Sequence, residues 1–141
     1  MPRLSGVNLL GVLLAAIVMF FVGFVFYGML FSGHWMAARG YTADMAADAN
    51  PAWMAGGFLI ELVLAFGLGW VLKLKAAKGL AACVSTALVL ALVVALPILA
   101  YDYVYGFYHY LPGLLVDWGH ILVSLGLAGA VRGSAVDKGE R

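Results

Sequence analysis

Four apolar runs, each long enough to cross a membrane as a helix, constrain this chain more than any other feature. They cover about residues 7–30, 53–72, 80–100 and 111–131. A helix needs about 20 apolar residues to span the hydrocarbon core of a bilayer. Only 11% of the residues are charged, against about 25% in soluble domains. The sequence therefore predicts an all-α integral membrane protein whose 141 residues form one transmembrane domain, a four-helix bundle.

Charge and cysteine content exclude several classes of protein. The net charge is +1, so no strongly basic surface indicates a nucleic-acid partner. The single cysteine, Cys83, excludes an intrachain disulfide and a multi-cysteine metal site. The first apolar run is too long for a cleaved signal peptide, so we expect an uncleaved first helix.

The distribution of basic residues predicts the orientation of the spans. Seven of them fall in the N-terminal segment, the loop between the second and third runs, and the C-terminal segment: Arg3, Lys73, Lys75, Lys78, Arg132, Lys138 and Arg141. The other two loops contain Arg39 alone. Because Lys and Arg concentrate on the cytoplasmic side of membrane proteins, both termini are predicted to be cytoplasmic. The loop after the first run is polar and predicts a short helix over about residues 42–49, with Thr42 as its N-cap.

The fourth run contains the strongest candidate site. Asp117, His120 and Ser124 fall within roughly 60° of one another on a helical wheel. Ionisable groups inside a span are rare and usually functional. Three glycines, which favour close approach of a neighbouring helix, occupy the opposite side of this helix: Gly119, Gly126 and Gly133.

Glu61, in the second run, is a further candidate for the same site. At 1.5 Å per residue, Glu61 lies about 12 Å below Trp53, and His120 lies about 13 Å below Leu111. Both helices start from the outer side in the predicted orientation, so the two side chains lie at nearly the same depth. We therefore expect Glu61, Asp117 and His120 to share one site if the second and fourth helices are neighbours.

An imidazole beside two carboxylates fits three kinds of chemistry, and the sequence leaves them open. The group can relay protons, or bind a metal through Glu61, Asp117 and His120, or form a structural network that holds the helices in register. No nucleophile elbow, phosphate loop or zincin motif is present. An enzyme is therefore not favoured, and no cofactor is indicated.

Aromatic residues mark the outer ends of the spans. Tyr27 lies near the end of the first run, and His34 and Trp35 follow it. Tyr105 and His109 lie in a tyrosine-rich stretch that precedes the fourth run. Such residues are typical of the headgroup level of a membrane, or they form the rim of a vestibule for a ligand or partner.

Pro97 lies near the outer end of the third run. Proline lacks a backbone N–H, so the carbonyl of Val93 loses its usual helical partner. We expect a kink in the third helix at this position.

Several short motifs carry a resemblance to a known family. They are Asn8, Tyr27-Gly28, the stretch from Phe31 to Met36, Asn50-Pro51, Asp117-Trp118-Gly119-His120 and Leu122-Val123-Ser124. On these motifs the chain resembles the small bacterial four-helix membrane proteins grouped as domain of unknown function 1761. The resemblance implies a four-helix membrane fold and singles out Tyr27, Trp35, Asp117 and His120. We expect the chain to lie in a bacterial inner membrane. Where the family carries a proline after Tyr-Gly and a basic residue before the tryptophan, this chain has Met29 and His34.

Two functions of different classes follow from these patterns. In the first, a cavity lined by Glu61, Asp117, His120 and Tyr27 binds or conducts a proton, a cation or a small polar ligand. In the second, the protein is a non-catalytic accessory or scaffold subunit of a larger membrane complex. The lipid bilayer is the expected partner in both, and the abundant Gly and Ala faces favour a homo-oligomer, a dimer or trimer.

Overall fold

The computed structural model describes residues 2–134 and is almost entirely helical. A short antiparallel hairpin of β1 (Arg3–Leu4) and β2 (Val7–Asn8) comes first. Six helices follow: α1 (Leu9–Leu30), α2 (Ser32–Arg39), α3 (Ala43–Ala47), α4 (Trp53–Leu74), α5 (Gly79–Tyr105) and α6 (Leu111–Gly133). Of these, α1, α4, α5 and α6 are long and apolar enough to cross a membrane. The predicted all-α class is confirmed. Lys138 and Arg141, which contributed to the predicted orientation, lie outside the described residues.

The hairpin sets the start of α1. Its turn places Ser5 and Gly6 at positive φ, 51° and 79°, as a two-residue hairpin turn requires. The chain then enters α1 through Asn8, whose buried side chain accepts a hydrogen bond from the backbone N–H of Leu10 at 3.0 Å. This N-cap satisfies one of the four N–H groups that a helix start leaves without a helical partner.

The long helices pack in the order α4, α1, α6, α5. Helix α1 packs extensively on both α4 and α6, and α5 packs on α6, whereas α4 and α6 contact each other only slightly. The contacts are made by small and apolar residues that are fully buried, among them Ala15, Ala16, Met19, Ala65, Ala87 and Ala128. The second and fourth predicted spans are therefore separated by the first over most of their length.

Glycines on α6 bring it close to α5. A Cβ atom at Gly129 would lie 2.8 Å from the carbonyl oxygen of Cys83 and 2.9 Å from the Cβ of Ala87. A Cβ at Gly133 would lie 2.8 Å from the Cα of Leu80. Of the glycine face expected from the sequence, Gly126 and Gly133 face α5, and Gly119 lies near Phe26 of α1.

Two of the long helices contain π-helical segments. The last seven residues of α1, Phe24–Leu30, form one, and Ala91–Ala95 in α5 form the other, just before Pro97. A π segment widens the helix locally, and in α5 it lies where the proline interrupts regular bonding. The indole N–H of Trp118 donates to the carbonyl oxygen of Leu96 at 3.2 Å and ties α6 to α5 there.

The segment between α1 and α4 folds into two short helices. Helix α2 ends at Arg39 and is followed by Gly40, which takes the left-handed conformation with φ of 65° that glycine adopts readily at helix ends. Helix α3 begins after Thr42, whose hydroxyl accepts a hydrogen bond from the backbone N–H of Met45 at 3.3 Å. The sequence predicted a helix in the region of α3 but not the separate helix α2, which packs against α6.

Candidate functional site

Asp117 is the centre of the polar site, and three helices meet at its carboxylate. The hydroxyl of Tyr27, in the π segment of α1, donates to Oδ1 of Asp117 at 2.7 Å. Nη2 of Arg39, the last residue of α2, lies 3.8 Å from Oδ2. The Asp117 side chain is mostly buried, and the Arg39 side chain is about one-third exposed. The negative charge of Asp117 is therefore held by one short hydrogen bond and one longer ion pair.

His120 and Ser124 extend the polar site one turn at a time along α6. Nε2 of His120 lies 3.2 Å from Oγ of Ser124, and the two atoms share a hydrogen bond. The His120 ring lies 4.8 Å from the Tyr27 ring, centroid to centroid. Gly23 of α1 leaves room for the imidazole, because a Cβ there would lie 3.4 Å from Nε2. Ser124 is 1% exposed, so this polar line ends deep in the protein.

A cavity of about 350 Å³ opens beside Asp117. Its charged and hydrogen-bonding lining side chains are Arg39, Tyr41, Asp102, Tyr103, Tyr108, Tyr110 and Asp117. We call it the tyrosine cavity. Tyr27 and His120 do not line it. The Tyr27 hydroxyl is hydrogen-bonded to Asp117, which does line it, and the His120 ring lies beside the Tyr27 ring. The cavity therefore combines one cation, two carboxylates and several phenol groups.

His34 and Trp35, two of the predicted rim residues, support the cavity wall. Nδ1 of His34 lies 2.7 Å from the hydroxyl of Tyr110, and the two rings stack. Trp35 lies between the rings of Tyr27 and Tyr41. The guanidinium carbon of Arg39 lies 5.8 Å from the centre of the Trp35 ring, within the range of a cation–π contact. These contacts fix the side chains that face the cavity.

The other two predicted rim residues lie elsewhere. The side chain of Tyr105 is 78% exposed and stacks on Tyr101. Nδ1 of His109 lies 2.8 Å from the carbonyl oxygen of Tyr103. Neither residue lines the tyrosine cavity. Tyr105 therefore contacts its own helix, and His109 ties the loop between α5 and α6 back to the end of α5.

Glu61 has no direct bond to the other predicted site residues. It lies on α4, and within residues 2–134 no hydrogen bond or ion pair links it to Asp117, His120 or Tyr27, although its carboxylate lies within electrostatic range of the Tyr27 hydroxyl. In the same part of the chain, no three His, Cys, Asp or Glu side chains are close enough to hold a metal ion. Among the described residues, no direct bond therefore joins Glu61 to Asp117 and His120, and the three do not form a metal centre.

The cation of the site was not predicted from the sequence, where Arg39 counted only as a loop charge. Asp102, Tyr108 and Tyr110 lie in the tyrosine-rich stretch expected to form a vestibule, but they were not among the named candidate residues. One signal was available: Arg39 is the only basic residue in the two loops on its side of the predicted membrane, and Asp117 is a carboxylate in a span that needs a partner.

Comparison of the chain with known proteins finds a matching family model. A family model described as a protein of unknown function, DUF1761, matches residues 10–133, and it confirms the resemblance drawn from the sequence. No curated protein and no solved structure matches the chain. The matched region contains every residue of the polar site and of the tyrosine cavity.

Proposed function

The chain belongs to the DUF1761 family of proteins of unknown function, and we propose that it is an integral membrane protein that binds a small polar ligand in the tyrosine cavity. One observation carries this proposal. A cavity of about 350 Å³ has Arg39 and Asp117 on its wall, and small-molecule sites are typically concave spaces of about 300–1,000 Å³ with a few placed polar groups.

The surface of the long helices supports a location in a membrane. Large apolar side chains on all four of them are more than half exposed, including Phe21, Leu59, Val93 and Leu115. Exposed apolar surface on this scale is unfavourable in water and favourable in lipid. We place the chain in a bacterial inner membrane with both termini and the α4–α5 loop in the cytoplasm. An engineered cysteine at Ala49, in a chain whose Cys83 is replaced, should then react with an impermeant maleimide added outside.

The charges of the cavity favour a ligand that carries both signs. Arg39 presents a planar set of donors suited to a carboxylate. Asp117 and Asp102 accept hydrogen bonds from an ammonium or another donor, and the tyrosines add hydroxyls and ring faces. The Arg39–Asp117 separation of 3.8 Å exceeds that of a short charge-assisted hydrogen bond, about 2.7–2.9 Å. A zwitterion can therefore contact both Arg39 and Asp117 while disturbing little of the long ion pair between them.

The same geometry supports binding rather than conduction. The polar line from Asp117 through Tyr27 and His120 ends at Ser124. Beyond it, α6 continues with buried apolar residues, Leu125 and Ala128, packed in one core with α1. Between Ser124 and Arg132, residues 125–131 of α6 are all apolar or glycine, which favours binding of a ligand over passage of a proton or cation. In this proposal Tyr27 orients Asp117, while His120 and Ser124 complete the hydrogen bonding behind it.

Ligand binding by two variants tests this function. Among free amino acids and betaines, at least one should raise the melting temperature of the detergent-solubilised protein. Asp117→Asn and Arg39→Gln should each weaken that binding about tenfold or more, because a hydrogen bond to a charged group contributes about 1.5–3 kcal/mol. Asp48→Asn, at an exposed carboxylate after α3, is the matched control and should bind as the unchanged chain does. Binding by Asp117→Asn equal to that of the control, or no binding by any compound, would contradict the proposal.

The face of α4 opposite α1 is the basis for two proposals about partner proteins. Gly56, Ile60, Val63, Gly67 and Trp70 share one side of this helix, opposite the side packed on α1, and nothing lies within 4 Å of a Cβ built at either glycine. Small residues on such a face favour close helix contact in lipid. We propose that a second copy of the chain packs here; light scattering that gives the mass of one copy would contradict it.

The same face favours the alternative function, a non-catalytic accessory or scaffold subunit of a larger membrane complex. In that case a different membrane protein covers α4. Gentle extraction followed by mass analysis separates the two outcomes, because a homo-oligomer contains this chain alone and a scaffold brings a second protein with it.

A further inference from the structure

A second cavity lies at the opposite end of the molecule, beside the β-hairpin and the α4–α5 loop. Its volume is about 280 Å³. Three cationic side chains line it, those of Lys73, Lys78 and Arg132, and none of the described lining residues is acidic. We call it the basic cavity. We propose that it binds the phosphate group of an anionic ligand.

Arg132 is the fixed donor of this cavity. Its residue is 3% exposed, and its Nη1 donates to the backbone carbonyl oxygen of Asn8 at 3.0 Å. Gly69 of α4 lies against the guanidinium, since a Cβ there would lie 3.1 Å from Nη2. Burial of a cation is costly, and an arginine held in one place is a donor whose ordering cost is met before a phosphate binds.

The two lysines and the start of α5 add to the positive potential. Nζ of Lys73 donates to the carbonyl oxygen of Ser5 at 2.6 Å, which keeps this cation at the cavity. Lys78 is the N-cap residue of α5 and forms no side-chain cap. The first turn of α5, beginning at Gly79 on the cavity wall, therefore has backbone N–H groups available, and these favour anions.

The position of the cavity indicates where a phosphate can come from. The ends of three long helices surround it: Leu74 ends α4, Gly79 begins α5 and Gly133 ends α6. In a membrane these ends lie near the headgroups, and basic pockets between spans bind anionic lipid headgroups. A free phosphate ion presents the same chemistry to the same residues, so the experiment has one arm for each source.

The lipid arm uses native mass spectrometry of the full-length protein in mixed micelles of phosphatidylglycerol and phosphatidylcholine. We expect retention of phosphatidylglycerol over phosphatidylcholine. Lys78→Gln should weaken that retention about fivefold, the effect of one cation near an anionic headgroup. Lys75→Gln is the matched control, because Lys75 lies in the same loop but donates to Oγ1 of Thr86 and does not line the cavity. It should leave retention unchanged.

The phosphate arm measures the melting temperature of the same protein and variants in inorganic phosphate and in chloride of equal ionic strength. We expect phosphate to raise the melting temperature if the free ion is a ligand. Lys78→Gln should then reduce this stabilisation, and Lys75→Gln should not. Specific binding in either arm supports a phosphate site, and the arm that shows it identifies the source. If Lys78→Gln and Lys75→Gln weaken binding equally, the binding reflects general charge and the proposal is overturned. The proposal is also overturned if the protein prefers neither phosphatidylglycerol over phosphatidylcholine nor phosphate over chloride.

Discussion

Gly129→Val is expected to lower the free energy of unfolding by about 3 kcal/mol, because overpacking a tight helix contact forces the backbones apart. A Cβ at this position would lie 2.8 Å from a backbone oxygen of α5 and 3.1 Å from the Cα of Val84. Neither atom is the end of a flexible side chain that can move away. The contact between α5 and α6 must therefore open along its length. Denaturant titration of the detergent-solubilised protein measures the loss.

Gly33→Val is the matched control for this substitution. It makes the same chemical change within a helix, α2, at a glycine where nothing lies within 4 Å of the added Cβ. The cost of valine in place of glycine along the helix backbone is shared by both variants, so the difference between them reports the contact with α5. Equal stabilities for the two variants would show that Gly129 is not tightly packed.

Met19→Ala is expected to lower the free energy of unfolding by about 3 kcal/mol, within the range of about 2–5 kcal/mol seen when a buried methionine is cut to alanine. Met19 is fully buried in α1 and belongs to the same core cluster as Ala65 and Leu125. Its removal leaves a cavity between three helices that cannot close without moving their backbones. Denaturant titration under the same conditions measures the effect.

The control for this second substitution is Met54→Ala. Met54 lies in the first turn of α4 and is 53% exposed, so its truncation should change the free energy of unfolding by less than about 0.5 kcal/mol. A loss at Met54 as large as that at Met19 would mean that truncation of methionine acts through something other than the core.

The helical spans were predictable because their signal is local. The length of an apolar run and the scarcity of charge inside it are properties of about 20 consecutive residues, and α1, α4, α5 and α6 each meet them. The side of α6 that carries Asp117, His120 and Ser124 was also predictable, since spacing on a single helix fixes it. The contacts of Asp117 with Tyr27 and of His120 with Ser124 both use residues that the sequence had marked.

The partners contributed by other helices were harder to predict. The placement of Glu61 depended on whether α4 lies beside α6, and no pattern within either helix decides that order. Arg39 reaches Asp117 because Ser32–Arg39 turns into a separate helix after Phe31 breaks the geometry of α1 with φ of −128°. A change of chain direction at one residue leaves no trace in composition, so the cation of the site was read as an ordinary loop charge.

The π-helical segment at the end of α1 determines the direction in which the Tyr27 side chain points. Successive residues of an α-helix are about 100° apart, so one inserted residue rotates all the following side chains by that angle. A π segment accommodates the inserted residue within one or two helical turns. The π segment of α1 has seven residues, Phe24–Leu30. The first part of α1, Leu9–Gly23, can therefore keep its contacts with α4 and α6 while the Tyr27 hydroxyl points at the Asp117 carboxylate. Straightening this segment would leave the apolar length of α1 unchanged and turn the Tyr27 hydroxyl away from Asp117.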